Sequence, residues 1–264
     1  MASYIIAGGL DGRERLRLLS RVMRPSTLAL LERAGAQPGM RCLEVACGGG
    51  DVAFDLARMV GPDGSVVGTD IDPVKLDIAR TEAAAQGLVN VEFRQADILR
   101  DPVEAGFDLV HVRFLLTHLT DPSAALERMR AALNPGGVLV VEDVDFDGHF
   151  SFPDSPAFRR YVELYSQTLA RRGGDAFIGR RLPALLTQAG FGAVDVSIAQ
   201  PAGIDGEVKL VAPITMELTA QSVLDEGLAT EAELKAIVAE LYETARTPGT
   251  LLSLPRVVGV WAVW

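Results

Sequence analysis

The run Leu43-Glu44-Val45-Ala46-Cys47-Gly48-Gly49-Gly50-Asp51 constrains this chain more than any other stretch. Arg41 to Ala46 is short, apolar and punctuated by glycine, the pattern of a buried strand. It passes through three glycines into a helical pattern from Val52 to Val60. Glycines at such a junction let the backbone turn tightly and approach a ligand closely. In open α/β sheets, ligands bind outside the carboxyl ends of strands, where loops of this kind lie.

The alternation that follows fits the same plan. Ser65 to Thr69 reads as a strand ending at Asp70, and Pro73 to Gln86 as a helix closed by Gly87. Val91 to Arg94 is a third strand, followed by Gln95-Ala96-Asp97, and Phe107 to Val112 a fourth. Pro122 to Leu133 is a helix closed by Asn134-Pro135-Gly136-Gly137, and Val138 to Val141 a fifth strand running out into Glu142-Asp143-Val144-Asp145. Strands alternating with helices predict an α/β, doubly wound, mostly parallel sheet with helices on both faces and right-handed crossovers.

The flanks are helical. Arg13 to Met23 places Leu16, Leu19 and Met23 on one face, and Pro25 and Ser26 are expected to open a second helix, Thr27 to Ala34, stopped by Gly35. Past residue 145, helices are expected over Ala157 to Arg171, Arg180 to Gln188, Pro213 to Glu226 and Glu231 to Arg246. Strands are expected over Val194 to Ile198 and Val257 to Trp264. The expected organisation is an N-terminal helical lid at 1–35, an α/β core at 36–200, a helical cap insertion at 201–255 and a final strand of the core sheet at 256–264.

Charge and cysteine usage exclude several roles. The net charge of -10 disfavours a general nucleic-acid binder, because neutralising phosphates needs a basic face. No apolar run approaches the ~20 residues of a membrane span, and Met1 to Leu10 has no signal-peptide pattern. Only Cys42 and Cys47 are available as thiols, with few histidines, so neither a disulfide framework nor a zinc site is expected. A small-molecule substrate, no metal and a reducing cytoplasm are the expectations.

Three strand ends carry recognisable chemistry. A carboxylate at Asp70 can accept both hydroxyls of a ribose, and one at Asp97 can accept from an exocyclic amine such as adenine N6. Ile71 and Ile98 follow these acids and could sandwich a flat base. Asp is also a common helix cap, and isoleucine is more often core, so each residue alone has a structural reading. Glu44 discriminates between adenosine compounds: a carboxylate beside the glycine turn opposes a pyrophosphate and suits a cation. S-adenosylmethionine carries a sulfonium and an ammonium and no phosphate.

Glu44-x-Ala46-x-Gly48-x-Gly50, Asp70, Gln95-Ala96-Asp97, Phe107-Asp108-Leu109-Val110 and Asn134-Pro135-Gly136-Gly137 occur in that order. Together they resemble the class I S-adenosylmethionine-dependent methyltransferases, strongly over residues 36 to 145 and in outline beyond. The resemblance implies a seven-stranded sheet with one antiparallel strand, here Val257 to Trp264. It implies that Ala46, Gly48 and Gly50 line the methionine end of the cofactor. Asp70 would hold the ribose, Asp97 the adenine amine, Ile71 and Ile98 the adenine ring, and Val112 would lie near the sulfonium. Tyr4 and Arg15 could close the lid. Ala46 stands where the family has its first glycine; a modest local adjustment is expected, since alanine still allows close approach if its φ is negative.

Methyl transfer is an in-line displacement dominated by positioning. A hydroxyl acceptor gains from a general base. His118 follows the fourth strand and Asp143 ends the fifth, and some small-molecule O-methyltransferases are similar in using a histidine and an acid at these places. His118 also reads as a structural histidine on a short helix. Arg113 could anchor an anionic substrate or pair with Asp143 or Asp145, and His149 is a further candidate base in a segment expected to be mobile. Phe152, Phe158, Tyr161, Tyr165 and Phe177 suit an uncharged or aromatic acceptor. Two alternatives remain at this level. Gly48-x-Gly50-x-x-Ala53 with Asp70 loosely fits an NAD(P)-dependent oxidoreductase. The same fold could also hold S-adenosylmethionine while catalysing a cyclisation or rearrangement, or act only as a binding protein.

Overall fold

A computed structural model describes residues 5–6 and 9–264, with side chains in the first helix from residue 12 onward. Tyr4 lies outside the described residues. In chain order the elements begin with α1 (Gly9–Arg33), β1 (Arg41–Val45), α2 (Asp51–Val60), β2 (Ser65–Asp70), α3 (Pro73–Ala85) and β3 (Val91–Gln95). They continue with β4 (Phe107–Arg113), α4 (Pro122–Ala132), β5 (Leu133–Asp145), β6 (Ser151–Phe152), α5 (Pro156–Arg171) and α6 (Leu182–Gln188). The last are β7 (Val194–Ala199), β8 (Ala202–Gly203), α7 (Val211–Asp225), α8 (Glu231–Arg246), β9 (Leu251–Ser253) and β10 (Arg256–Val263).

The main sheet has seven strands in the order β3-β2-β1-β4-β5-β10-β7, with β10 antiparallel to both of its neighbours, as expected. Successive residues of a strand face opposite sides, and the two helical layers follow from that. Cys42, Leu109, Val138 and Val140 pack with α1, α2 and α3, while Leu43, Val45, Val110, Val112, Leu139 and Val141 pack with α4 and α6. The register aligns Val45 with Thr69 and with Val112, and Asp70 with Gln95. The carboxyl ends of β1, β2, β3 and β4 therefore share one edge, and their loops converge.

Helix starts are set by local chemistry. The side chain of Asp72 accepts from the amides of Val74 and Lys75, Asp121 from Ala124, Ser155 from Phe158 and Thr230 from Glu233. In the first three cases a proline follows the cap, where its missing N–H costs nothing.

The structure differs from, or adds to, the sequence reading at several elements. α1 is one helix through Pro25, not two. Leu18, Leu19 and Met23 before the proline and Leu30 and Leu31 after it are all buried, and packing on both sides outweighs the backbone bond that proline forfeits. α5 packs with α7 and α8, joining Tyr161, Leu164 and Leu169 to Met216, Val223 and Leu241. A small sheet, β6-β9-β8, ties the cap to the core; strands this short carry no periodic signal. His149, expected in a mobile segment, sits edge-on among Phe146, Phe158 and Tyr161 at 5.1, 5.0 and 5.7 Å between ring centroids. Burial there lowers its pKa to about 3, so it packs as a neutral aromatic. Among the described residues, no helix is long and apolar enough to cross a membrane. Cys42 and Cys47 are buried free thiols.

Candidate active site

A cavity of about 820 Å³ opens where the strand ends converge and continues beneath the cap. That volume is within the usual range for small-molecule sites. Its sheet half is walled by Glu44, Ala46, Gly48, Gly49, Asp51, Asp70, Ile71, Asp97 and Ile98. Its cap half is walled by Arg15, Phe114, His118, Phe146, Tyr161, Tyr165 and Thr215.

The loop after β1 is built from strained backbone. Gly48 and Gly50 have φ of 55° and 83°, the region only glycine enters freely. Ala46 has φ of 55°, so the condition of a negative φ is not met and the alanine takes the glycine-like conformation. An L-residue in that region costs ~1–2 kcal/mol. The loop is held by hydrogen bonds at both ends: the Cys47 amide donates to the Thr69 carbonyl at 2.8 Å and the Gly50 amide to the Cys47 carbonyl at 2.9 Å. Arg13 of α1 lies over Gly49, where a Cβ would run into its guanidinium. That guanidinium donates to Asp51 Oδ1 at 3.1 Å and Glu82 Oε2 at 2.8 Å, clamping α1 to the loop. Arg13 has no local sequence signature, because both partners lie far along the chain.

Glu44 is 4% exposed and faces the cavity. Its Oε1 lies 4.0 Å from His111 Nδ1, and its Oε2 has no hydrogen-bond partner among the described residues. Burial pushes its pKa up to about 8; Asp51 and Asp70 add to that and Arg113 opposes it. Behind it, His111 Nε2 is 3.2 Å from Glu142 Oε1, and Thr27 donates to Glu142 Oε2 at 3.1 Å. Burial lowers the His111 pKa. Burial alone would raise that of Glu142, but the His111 bond and the Arg113 charge outweigh it and hold it low. An acid that is buried, aimed into a cavity and short of one partner fits a cationic ligand group.

Asp70 ends β2 with 7% exposure. Its Oδ2 accepts from the Gly48 amide and its Oδ1 from the Asp72 amide, each at 2.9 Å. The same carboxylate that faces the cavity therefore also braces the glycine loop. Asp97 caps the turn behind it: Oδ1 accepts from the Leu99 amide at 2.9 Å, and Oδ2 lies 3.5 Å from Arg100 Nε. Ile71 is 63% exposed, too open for core and available to a flat ring, and Ile98 is half-buried against the core. Gly50 and Val112 stand behind the wall rather than in it. Gly50 turns the chain beneath Phe93, and Val112 packs into the core between β1 and β5. At the end of β4 the wall is Arg113, Phe114 and Leu115. Phe114 has φ of 57°, strain of a kind concentrated at functional sites, which no sequence pattern announces.

His118 closes a single 3-10 turn, Leu116–His118, and lines the cap half. Burial lowers its pKa to about 3, with the Arg15 and Lys75 charges acting the same way, so the ring is neutral near pH 7. Asp143 is fully buried behind that turn. Its Oδ2 accepts from the Thr117 amide at 3.1 Å and its Oδ1 from its neighbour Val144 at 2.8 Å. Burial raises its pKa to about 7 against those bonds. Asp143 thus fixes the backbone of the turn that carries His118. Arg113 donates to Thr27 Oγ1 at 2.8 Å. Asp145 is bound by Arg180 and Arg256, so the expected Arg113–Asp145 pair is corrected. Of the aromatics expected near an acceptor, Tyr161 and Tyr165 line the cavity. Phe158 is cap core, and Phe152 and Phe177 are exposed elsewhere.

Comparison with known proteins agrees with this geometry. A family model described as a methyltransferase domain matches residues 36–170. An uncharacterized 37.1 kDa transposon protein of Streptomyces fradiae is 34% identical over 164 residues, 61% of this chain and 46% of that protein. The ubiquinone/menaquinone biosynthesis C-methyltransferase UbiE of a Shewanella strain is 35% identical over 147 residues, 55% of this chain and 56% of its own length. The chain thus spans about half the length of these curated relatives. Among solved structures, a putative methyltransferase from Bacillus halodurans superposes with a TM-score of 0.61 at 21% identity, covering 89% of this chain and 97% of that one, which shows the shared fold. With a family model matching more than half of its residues and a mostly parallel seven-stranded sheet of the same fold class as its solved neighbours, the chain belongs to the methyltransferase-domain family, the class I S-adenosylmethionine-dependent methyltransferases.

Proposed function

We propose that this protein transfers the methyl group of S-adenosylmethionine to a hydroxyl oxygen of a small acceptor held beneath the cap, with His118 taking the acceptor's proton. The observation that carries the reading is the single cavity joining the acid-lined strand ends to His118 and the cap. On this reading Glu44 meets the cofactor's methionine ammonium, Asp70 its ribose, and Asp97, Ile71 and Ile98 its adenine. When bound, S-adenosylmethionine supplies an electrophilic methyl on a sulfonium. Everything else is positioning by the chain. The cap excludes water, Phe114 and Arg113 wall the space between the two halves, and Asp143 fixes the turn that presents His118. A neutral imidazole can accept a proton as the acceptor oxygen loses it.

The test is transfer of label from methyl-labelled S-adenosylmethionine to a panel of hydroxylated small molecules. His118→Ala is expected to lower kcat about 10²-fold or more while S-adenosylhomocysteine affinity stays within about twofold. Unchanged turnover across pH would remove His118 from the chemistry. Bound cofactor with no label transferred to any acceptor would favour a rearrangement or binding role. A carbon acceptor is the second reading, favoured by the 35% identity to a C-methyltransferase. Product NMR separates it, since an O-methyl and a C-methyl resonate apart.

A further inference from the structure

Arg15 has a role that methyl transfer to an uncharged acceptor leaves unexplained. It is 8% exposed, lines the cap half of the cavity, and belongs to α1, the helix that closes the site. Its Nε donates to Thr215 Oγ1 of α7 at 2.9 Å. Thr215 and Tyr161 line the cavity beside it, so one bond to α7 orients the guanidinium in the cap half. No carboxylate pairs with Arg15 among the described residues. The other buried arginine of the same helix, Arg13, has its charge paired with Asp51 and Glu82. A buried cation without a counter-ion is costly, and a chain that keeps one oriented into a cavity has a reason outside the folded core.

The surroundings specify what completes it. The acids of the cavity, Glu44, Asp51, Asp70 and Asp97, gather at the strand ends. Facing Arg15 are an imidazole, His118, and a phenol, Tyr161. Both feel its charge, which lowers the pKa of His118 and opposes the burial that raises that of Tyr161. The remaining wall there is apolar and flat, including Phe146 and Tyr165, which stack with ring planes 2° apart and centroids at 4.4 Å. Lys75 and Arg100 also line the cavity but face Asp72 and Asp97, which leaves Arg15 as the cation of the cap half with no carboxylate partner among the described residues.

We propose that Arg15 is the anchor for a singly charged oxyanion, a carboxylate, on an acceptor with a flat apolar body. The inference rests on the cavity's cap half being the acceptor site of the proposed methyl transfer. A carboxylate suits one guanidinium, whose Nη groups can donate to its two oxygens. A phosphate dianion would ask for a second cation, and Lys75, the other cation acting on His118, already pairs with Asp72 at 3.8 Å. The assignment revises the uncharged acceptor that the aromatic content by itself suggests. It also opposes an anionic reactant to the cationic cofactor across the same cavity, so the two attract in the ternary complex.

The test uses the full chain with S-adenosylhomocysteine bound and three matched probes: 3-phenylpropionate, 3-phenylpropionamide and 3-phenylpropylamine. Calorimetry is expected to give the acid at least about tenfold tighter than the amide, with the amine weakest. In Arg15→Met the acid-to-amide ratio is expected to fall to about one, while S-adenosylhomocysteine binds as before. The melting temperature of Arg15→Met is expected to equal or exceed that of the wild type, because an unpaired buried charge is removed. An acid no tighter than its amide in the wild type overturns the proposal without need of any variant, as does a preference that survives Arg15→Met. A melting temperature that falls in Arg15→Met, with no acid preference in the wild type, makes Arg15 a structural brace for α7. Absence of S-adenosylhomocysteine binding is a different failure: it strikes the methyl-transfer reading, and the same probes on the unliganded chain still report on Arg15.

Discussion

Glu44 links cofactor binding to a proton. Its carboxyl is buried, is short of one hydrogen bond, and has a pKa pushed up to about 8. The groups facing it are His111 and Arg113 from β4, Asp51 from α2 and Asp70 from β2. A cationic ligand prefers the ionised form, and at pH 7 about one molecule in ten is ionised if the pKa is one unit higher. Binding is then about tenfold weaker than to fully ionised protein, about 1.4 kcal/mol. Affinity for S-adenosylhomocysteine is expected to rise with pH between about 5.5 and 7.5, below the ~7.7–8.0 at which an α-amino group itself titrates. The slope is expected to approach tenfold per unit, with nearly one proton released per ligand bound. Calorimetry in two buffers of different ionisation enthalpy counts that proton directly. Glu44→Gln is expected to bind more weakly above pH 7 and to lose both the slope and the proton release. A wild-type affinity flat across this range, or a slope kept by Glu44→Gln, refutes the reasoning. The same shift carries a sign for folding. A carboxyl whose pKa is raised in the folded state stabilises most below its ordinary value near 4.5, and that contribution is lost as pH climbs towards 8.

Two stability predictions follow from the glycine loop. Ala46→Gly relieves a left-handed φ and is expected to hold or raise stability by up to about 1 kcal/mol in urea unfolding, after the entropy of an added glycine; a clear loss would mean that the Ala46 methyl packs usefully. Gly49→Ala drives a methyl into the Arg13 guanidinium, which Asp51 and Glu82 hold in place, and is expected to cost about 1–3 kcal/mol by the same assay. A neutral Gly49→Ala would show that the α1 clamp yields freely.

Much of the sheet was legible in the residue order because its signals are local. A buried strand announces itself within a few residues, and Asp72, Asp121 and Ser155 mark helix starts by bonding amides two or three residues on. Strand-end chemistry was legible for the same reason: once β1, β2 and β3 are parallel, Glu44, Asp70 and Asp97 must reach one edge. What local pattern could not carry was anything set by distant packing. α1 runs through Pro25 because of what it buries on both sides, and Ala46 adopts a positive φ because the loop is tied to Thr69 and Asp70.

The amino-acid order by itself determined the alternating sheet, its binding edge and the kind of ligand those acids suit, since each depends on residues close together in the chain. Tertiary structure alone decided which charges are paired. Arg13 and Arg15 are two residues apart and look alike in the sequence. One meets Asp51 and Glu82, while the other reaches across 200 positions to Thr215 and is left with its charge facing the cavity. A charge's partner is fixed by distance in space, and only the folded chain sets that distance.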